Sequence, residues 1–289
     1  MENIGSTSTI DLIEPGIVLK QPINFKTKGL ADKVDLGFSV EPLILQRLGH
    51  HPGIVKYLGQ QDRALLLGHA SHGDLQAYLD NNPSTDLSQR ILWCRQVTEA
   101  VAYIHSRGVV HSDLRPRNIL VHETTPGSRD LLLCDFGGST CDELGLDGGC
   151  LPDGPFYNTI FGQESTPALD IFSLGSLFYT ILTGYWPYRS SPGSPESIDE
   201  KITYEKEVAE AFQQQNYPDV TRVAGGDVIL ACWMTKFLTA EEVLQALDRD
   251  MLPPDDGAGA KETNHDSMSL RVAMSLAVLM ASTYIFIRR

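Results

Sequence analysis

The segment "ALDIFSLGSLFYTILTG", residues 168–184, limits what this chain can fold into. Wound as a helix it is apolar on nearly every face, and a helix without a polar face has to be enclosed by protein on all sides. A chain that contains one needs many neighbouring elements to wrap it. The 289 residues are enough for one large domain or two lobes sharing a cleft, and 42% hydrophobic content supplies an ordinary core. The wrapping elements are visible from residue 74 onward. "DLQAYLDNN", "SQRILWCRQVTEAVAYIHSRG", "TYEKEVAEAFQQQ" and "TAEEVLQALDRD" carry apolar residues at helical spacing. In the second of these, Ile91, Trp93, Val97, Val101 and Ile104 share one face.

The N-terminal part has a different period. "STIDLIEPGIVLKQP" reads as two short strands around a turn at Glu14-Pro15-Gly16, and "RALLLGHA" reads as a buried strand ending in a glycine break. "SVEPLILQRLG" predicts a helix capped by Ser39, with Pro42 in its first turn and Gly49 at its end. Three short strands follow the helical stretch, in "VVH", "NILVH" and "LLLCDF", and the Gly-rich run 137–155 is expected to be an exposed, mobile loop. The fold class is α+β with two lobes: a small β-rich lobe over 1–70 and a large helical lobe over 71–250. Residues 251–268, rich in Pro, Gly, Asp and Lys, read as a linker to an apolar helix at 269–289.

A formal charge of -14 argues against a nucleic-acid surface, which needs a basic stripe. Five cysteines without CxxC spacing point to reduced thiols and a cytoplasmic setting, with neither a disulfide framework nor a zinc site. His50-His51 read as part of a turn that ends a helix. The N-terminus has no basic region followed by an apolar run, so no signal peptide is expected.

Most of the chemistry lies in "HSDLRPRNIL", residues 111–120, which sets a histidine, an aspartate, two arginines and an asparagine just before a buried strand. Phosphoryl transfer from ATP is achieved by positioning and charge neutralisation. One carboxylate must orient a hydroxyl and take its proton, a second must hold Mg2+, and a neutral amide oxygen can complete the metal shell. A lysine must grip the phosphates and an acid must hold the lysine. Asp113, Asp135, Asn118, Lys20 and Glu41 can fill these roles in that order, with Glu14 a rival to Glu41.

With these residues in place, the chain from about residue 4 to 250 resembles a eukaryotic protein kinase. "HSDLRPRN" resembles the catalytic loop H-R-D-L-K-P-x-N and "DFG" is intact; "LGHHPGIVKYLG" resembles the turn after the helix carrying the lysine's acidic partner. "DIFSLGSLFYTILTGYWPY" resembles the family's central large-lobe helix, with Asp170 bracing the catalytic loop. The resemblance implies ATP and Mg2+ as cofactors and a protein as substrate. Asp113 would be the base, with Arg115 beside it; Asn118 and Asp135 would hold the metal, and Lys20 the phosphates, paired with Glu41. "LLLGHASHGDL" would be the hinge, with Leu67 as gatekeeper and the backbone of Gly68 and Ala70 facing the adenine. Gly5, Val18 and Leu120 would complete the nucleotide pocket, and Leu45, His111 and Phe136 would stack as a spine between the lobes.

The chain departs from this pattern at several points. "IGSTSTI" keeps Gly5 but puts Ser and Thr where further glycines belong. Ser112 stands where the family has an arginine that pairs with a phosphorylated loop, which predicts activity independent of phosphate at Thr140 or Thr159. Arg115 and Arg117 occur at offsets used by tyrosine-specific members, whereas Pro116 is typical of the serine/threonine class, to which the reading inclines. The Ala-Pro-Glu segment is replaced by "PFYNTIFGQES", in which Glu164 is the nearest acid. A pseudokinase acting as a binding module is the alternative, and a small-molecule phosphotransferase of the aminoglycoside or choline type is a third reading. The uncharged run 272–287, flanked by Arg271 and Arg288-Arg289, resembles a short tail anchor, so membrane association is expected there.

Overall fold

The computed structural model describes residues 3–4, 7–152, 154–195 and 197–251. Gly5 and the anticipated tail helix at 269–289 lie outside the described residues, and among the described ones no helix is long and apolar enough to cross a membrane. Two short strands open the chain, β1 (Asn3–Ile4) and β2 (Ser8–Glu14), followed by β3 (Ile17–Pro22), helix α1 (Lys28–Leu48), β4 (Tyr57–Gln61) and β5 (Ala64–Gly68). The five strands form one antiparallel sheet in the order β1-β2-β3-β5-β4. The β2–β3 turn falls at Glu14-Pro15-Gly16, where Gly16 takes a φ of 84° that a residue with a Cβ adopts only at a cost.

The rest is mainly helical: α2 (Leu75–Asn81), α3 (Leu87–Ser106), α4 (Pro167–Thr183), α5 (Ile198–Gln213), α6 (Gly226–Trp233) and α7 (Ala240–Met251). The all-round apolar segment is α4. It is enclosed as expected, with Leu169, Ile171, Phe172, Leu174, Leu177, Phe178 and Ile181 all buried. A methyl group at Gly175 would lie 2.9 Å from Cys232 Cβ and 3.0 Å from Trp233 Cδ1, so this glycine lets α6 approach α4. Asp74 and Asp86 cap α2 and α3 by accepting the Ala77 and Gln89 amides. The face read from α3 is buried at Trp93, Val97, Val101 and Ile104, with Ile91 half-buried. Two hairpins lie between α3 and α4: β6 (Ile119–His122) with β7 (Asp130–Leu133), and β8 (Thr140–Cys141) with β9 (Leu146–Asp147).

Two expectations are corrected. Helix α1 starts at Lys28, so Ser39 and Pro42 lie inside it; the Ser39 hydroxyl donates to the Leu36 carbonyl (2.7 Å) instead of capping. Burial of Val34, Phe38, Val40, Ile44, Leu45 and Leu48 carries the helix through the proline, whose ring removes one backbone bond. Gly49 does end it, donating to Leu45 O (3.0 Å). The run 137–155 is less exposed than its composition suggests: it forms the β8–β9 hairpin and buries Ser139 and Cys141. The five cysteines are free thiols.

Candidate active site

Strand β3 delivers Lys20 and the middle of α1 delivers Glu41, and both side chains are buried. Lys20 Nζ lies 2.6 Å from Glu41 Oε2 and 2.7 Å from Asp135 Oδ1. Glu14, the rival partner, is exposed. Burial opposes the charge on Lys20, but the Asp135 and Glu41 carboxylates outweigh it and keep the ammonium protonated well above the ordinary lysine range. The same ammonium holds the Asp135 carboxyl below the usual carboxylate range. Burial pushes Glu41 upward, against the pull of Lys20.

Asp135 stands at a φ of 64° and a ψ of 68°, the left-handed region, at the start of the turn Phe136–Gly138. Gly137 packs against Gly37 of α1, where a methyl group on Gly137 would lie 3.3 Å from Gly37 Cα. This contact couples α1, and with it Glu41, to the backbone beside Asp135. Sequence reasoning passed over Gly37, although a glycine in a helix interior costs about 1 kcal/mol and signals a close approach.

The loop 111–118 is shaped from beneath. Asp170, fully buried near the start of α4, accepts the His111 amide (2.8 Å) and the Ser112 amide (3.0 Å), and His105 Nε2 lies 2.9 Å away. These bonds hold Ser112 at a φ of 67°, which is unfavourable for a residue with a Cβ. His111 Nε2 donates to the Cys134 carbonyl (3.0 Å), leaving Nδ1 to accept the Asp113 amide (3.3 Å). Its ring lies 5.0 Å from that of Phe136, and α1, with buried Leu45, packs on the turn that carries Phe136. The Ser139 hydroxyl bonds the His111 carbonyl (3.1 Å), and Val110 and Thr140 exchange backbone bonds.

Within this frame both oxygens of Asp113 are held. Arg115 Nε donates to Oδ1 (2.8 Å) and Asn118 Nδ2 to Oδ2 (2.9 Å) and to the Asp113 carbonyl (2.8 Å). Burial raises the Asp113 carboxyl, with Arg115 the main opposing influence. Because the Asn118 nitrogen is spent on Asp113, its amide oxygen is the end left for a ligand. At the segment expected to be the hinge, Val18 faces Leu67 across β3 and β5, and the Gly68 amide is used by Lys56 O (2.8 Å). Ala70 is buried beyond β5, and Leu120 bridges to Asp74.

A family model described as the protein kinase domain matches residues 25–247. The chain belongs to the protein kinase domain family. It is 32% identical over 191 residues to ribosomal protein S6 kinase alpha-2 of Homo sapiens, covering 60% of this chain and 25% of that protein. It is 30% identical over 264 residues to the calcium/calmodulin-dependent protein kinase cmkA of Emericella nidulans, covering 82% of this chain and 58% of that one. A probable serine/threonine-protein kinase, zyg-1 of Caenorhabditis briggsae, is 28% identical over 173 residues, covering 56% and 24%. The matched part is thus a quarter to somewhat over half the length of these relatives.

The family match begins after β3, so it includes Glu41 but not Lys20, whose pairing with Glu41 is seen in the structure. At the kinase domain's unusual positions, Ser112 is buried and its hydroxyl reaches the Val110 carbonyl (3.4 Å). Glu164 is exposed. The segment before it is tied to α4 by other means: the Ser173 hydroxyl donates to Phe156 O (2.6 Å) and that of Ser176 to Pro155 O. Arg47 on α1 pairs with Glu143 in the turn between β8 and β9.

Proposed function

We propose that this kinase domain transfers the γ-phosphate of ATP to a protein hydroxyl, serine or threonine in preference to tyrosine. The observation that carries the reading is the joint placement of two clusters: Lys20 between Glu41 and Asp135, and Asp113 between Arg115 and Asn118. In the first cluster two carboxylates face one ammonium, an excess of one negative charge. With the Asn118 amide oxygen, this donor set suits a hard divalent cation. Asn118 and Asp135 would hold Mg2+, which when bound neutralises charge on the phosphates.

Lys20, fixed by Glu41, grips phosphate oxygens. Asp113, aimed by Arg115 and Asn118, orients the acceptor hydroxyl and takes its proton. Arg115 is placed to balance charge near the transferred group. Val18, Leu67, Ala70 and Leu120 form the apolar walls for the adenine, and the hinge backbone at Gly68 and Ala70 reads its edge. Pro116 and the relative named as a probable serine/threonine-protein kinase support the hydroxyl class.

A scaffold that binds partners without transfer is the second reading, favoured by Ser and Thr in place of glycines after Gly5. Incubation with Mg-ATP and generic protein substrates, followed by phosphoamino-acid analysis, separates the two. Phosphoserine or phosphothreonine supports the enzyme, phosphotyrosine corrects its class, and no transfer supports the scaffold. We also propose that residues 272–287 attach the domain to a membrane. Deletion of 269–289 should then move the protein from the membrane fraction to the supernatant, and an unchanged distribution rejects the anchor.

A further inference from the structure

Arg117 has no part in the transfer described above. It lies in the turn Pro116–Asn118, and because Pro116 and Asn118 on either side are buried, Arg117 projects outward. It is one residue from Asn118, which holds Asp113, so it stands on the rim beside the acceptor position. Its Nη2 donates to the Ser194 hydroxyl (3.0 Å), in the loop between α4 and α5. Arg47, Arg95, Arg115 and Arg189 each meet a carboxylate and Arg90 and Arg107 donate to backbone carbonyls, whereas exposed Arg117 meets a single hydroxyl and no carboxylate among the described residues. Among the described residues, the acid near this loop is Asp80, which faces Gly193 and is engaged by Gln76 Nε2 (3.0 Å). In a chain with 37 acidic against 23 basic residues, a guanidinium left at the rim with a neutral neighbour is suited to an anion from outside.

We propose that Arg117 reads an anionic group next to the acceptor hydroxyl of the protein substrate, either an Asp or Glu side chain or a phosphate already present. The planar fork of a guanidinium matches both by two parallel hydrogen bonds, and Ser194 holds it toward the rim beforehand. A basic residue in the same place is repelled, so selectivity comes from both attraction and exclusion. The inference rests on the protein-phosphorylation reading and names its substrate class.

The experiment uses the full chain and peptides with one central serine, flanked in turn by Ala, Asp, phosphoserine or Arg. The wild type should favour Asp over Ala by about fivefold in kcat/KM, the scale of an exposed ion pair, with Arg the poorest. Arg117→Gln should abolish the preference through KM with kcat for the Ala peptide kept, and Arg117→Glu should invert it. Phosphoserine well above Asp identifies primed substrates; equality identifies acidic sequence. A wild type indifferent to charge, or a preference that survives Arg117→Gln, overturns the proposal. If no peptide is phosphorylated, the kinase reading has failed, and binding of labelled peptides decides Arg117 separately. Weaker binding of the Asp peptide to Arg117→Gln supports it, and equal binding overturns it.

Discussion

Replacing Lys20 by Met and replacing Glu41 by Gln should damage the fold unequally, although each removes half of the same ion pair. In Lys20→Met, the Glu41 and Asp135 carboxylates lose the ammonium that sits 2.6 and 2.7 Å from them. An uncompensated buried charge costs about 3–5 kcal/mol. The Asp135 side chain is 44% exposed, so solvent relieves part of this and the low end, about 3 kcal/mol, applies. In Glu41→Gln, one ammonium and one carboxylate remain, and the amide oxygen can still accept from Lys20. The loss is then about 1 kcal/mol. A domain of roughly 250 residues unfolds with an entropy near 0.5 kcal/mol/K, so the Tm should fall by about 6 °C and about 2 °C respectively. The two also differ with pH. Without Lys20, burial and mutual repulsion lift the two carboxyls above their unfolded values. The folded state then binds more protons, and its stability recovers as pH falls. Thermal unfolding at pH 7.5 and 5.5 without nucleotide measures both effects. Equal losses, a larger loss in Glu41→Gln, or a Lys20→Met deficit that grows in acid would refute the reasoning.

Asp113 must be ionised to take a proton, and burial raises its carboxyl, so the acid limb of kcat/KM should lie above the ordinary aspartate value of about 3.9. Arg115→Gln removes the main opposing charge and should move that limb to higher pH; a limb that stays or moves down contradicts the assignment. Phosphatase treatment should leave activity within about twofold, because the segment after Phe136 is held by Val110–Thr140 backbone bonds, Ser139 and the Arg47–Glu143 pair, not by an arginine at position 112. Loss of activity after phosphatase would show that a phosphate is needed despite Ser112.

The two-lobed class was legible because its signals were long and strongly periodic. The apolar helix α4, the buried face of α3 and the β2–β3 hairpin each follow from side-chain pattern and turn chemistry. Asp113 and Asn118 sit close in sequence, so their sharing one loop was readable, whereas the hydrogen bonds from Asn118 to Asp113 were not. Lys20, Glu41 and Asp135 are far apart in the chain; the demands of phosphoryl transfer nominated them, with Glu14 a rival, and the resemblance favoured Glu41. The first turns of α1 were missed because Gly29, Gly37 and several charges dilute the helical signal, while Gly37 is there for its contact with Gly137. Helix α6 was missed because eight mostly apolar residues are too few to show a period, and its packing on Gly175 is a tertiary fact. The folding of 137–155 depends on glycine backbones in close contact: a methyl group on Gly148 would lie 2.3 Å from Gly137 O. Composition records such glycines only as loop formers.

The most direct measurement is phosphate transfer from labelled Mg-ATP to a protein substrate by the wild type and by Asp113→Asn, with nucleotide binding measured alongside. Transfer by the wild type that falls by about 10²–10⁴-fold in Asp113→Asn, with ATP still bound, is the result predicted for a base held between Arg115 and Asn118. Equal transfer by both proteins, or ATP binding by the wild type with no transfer, would contradict it.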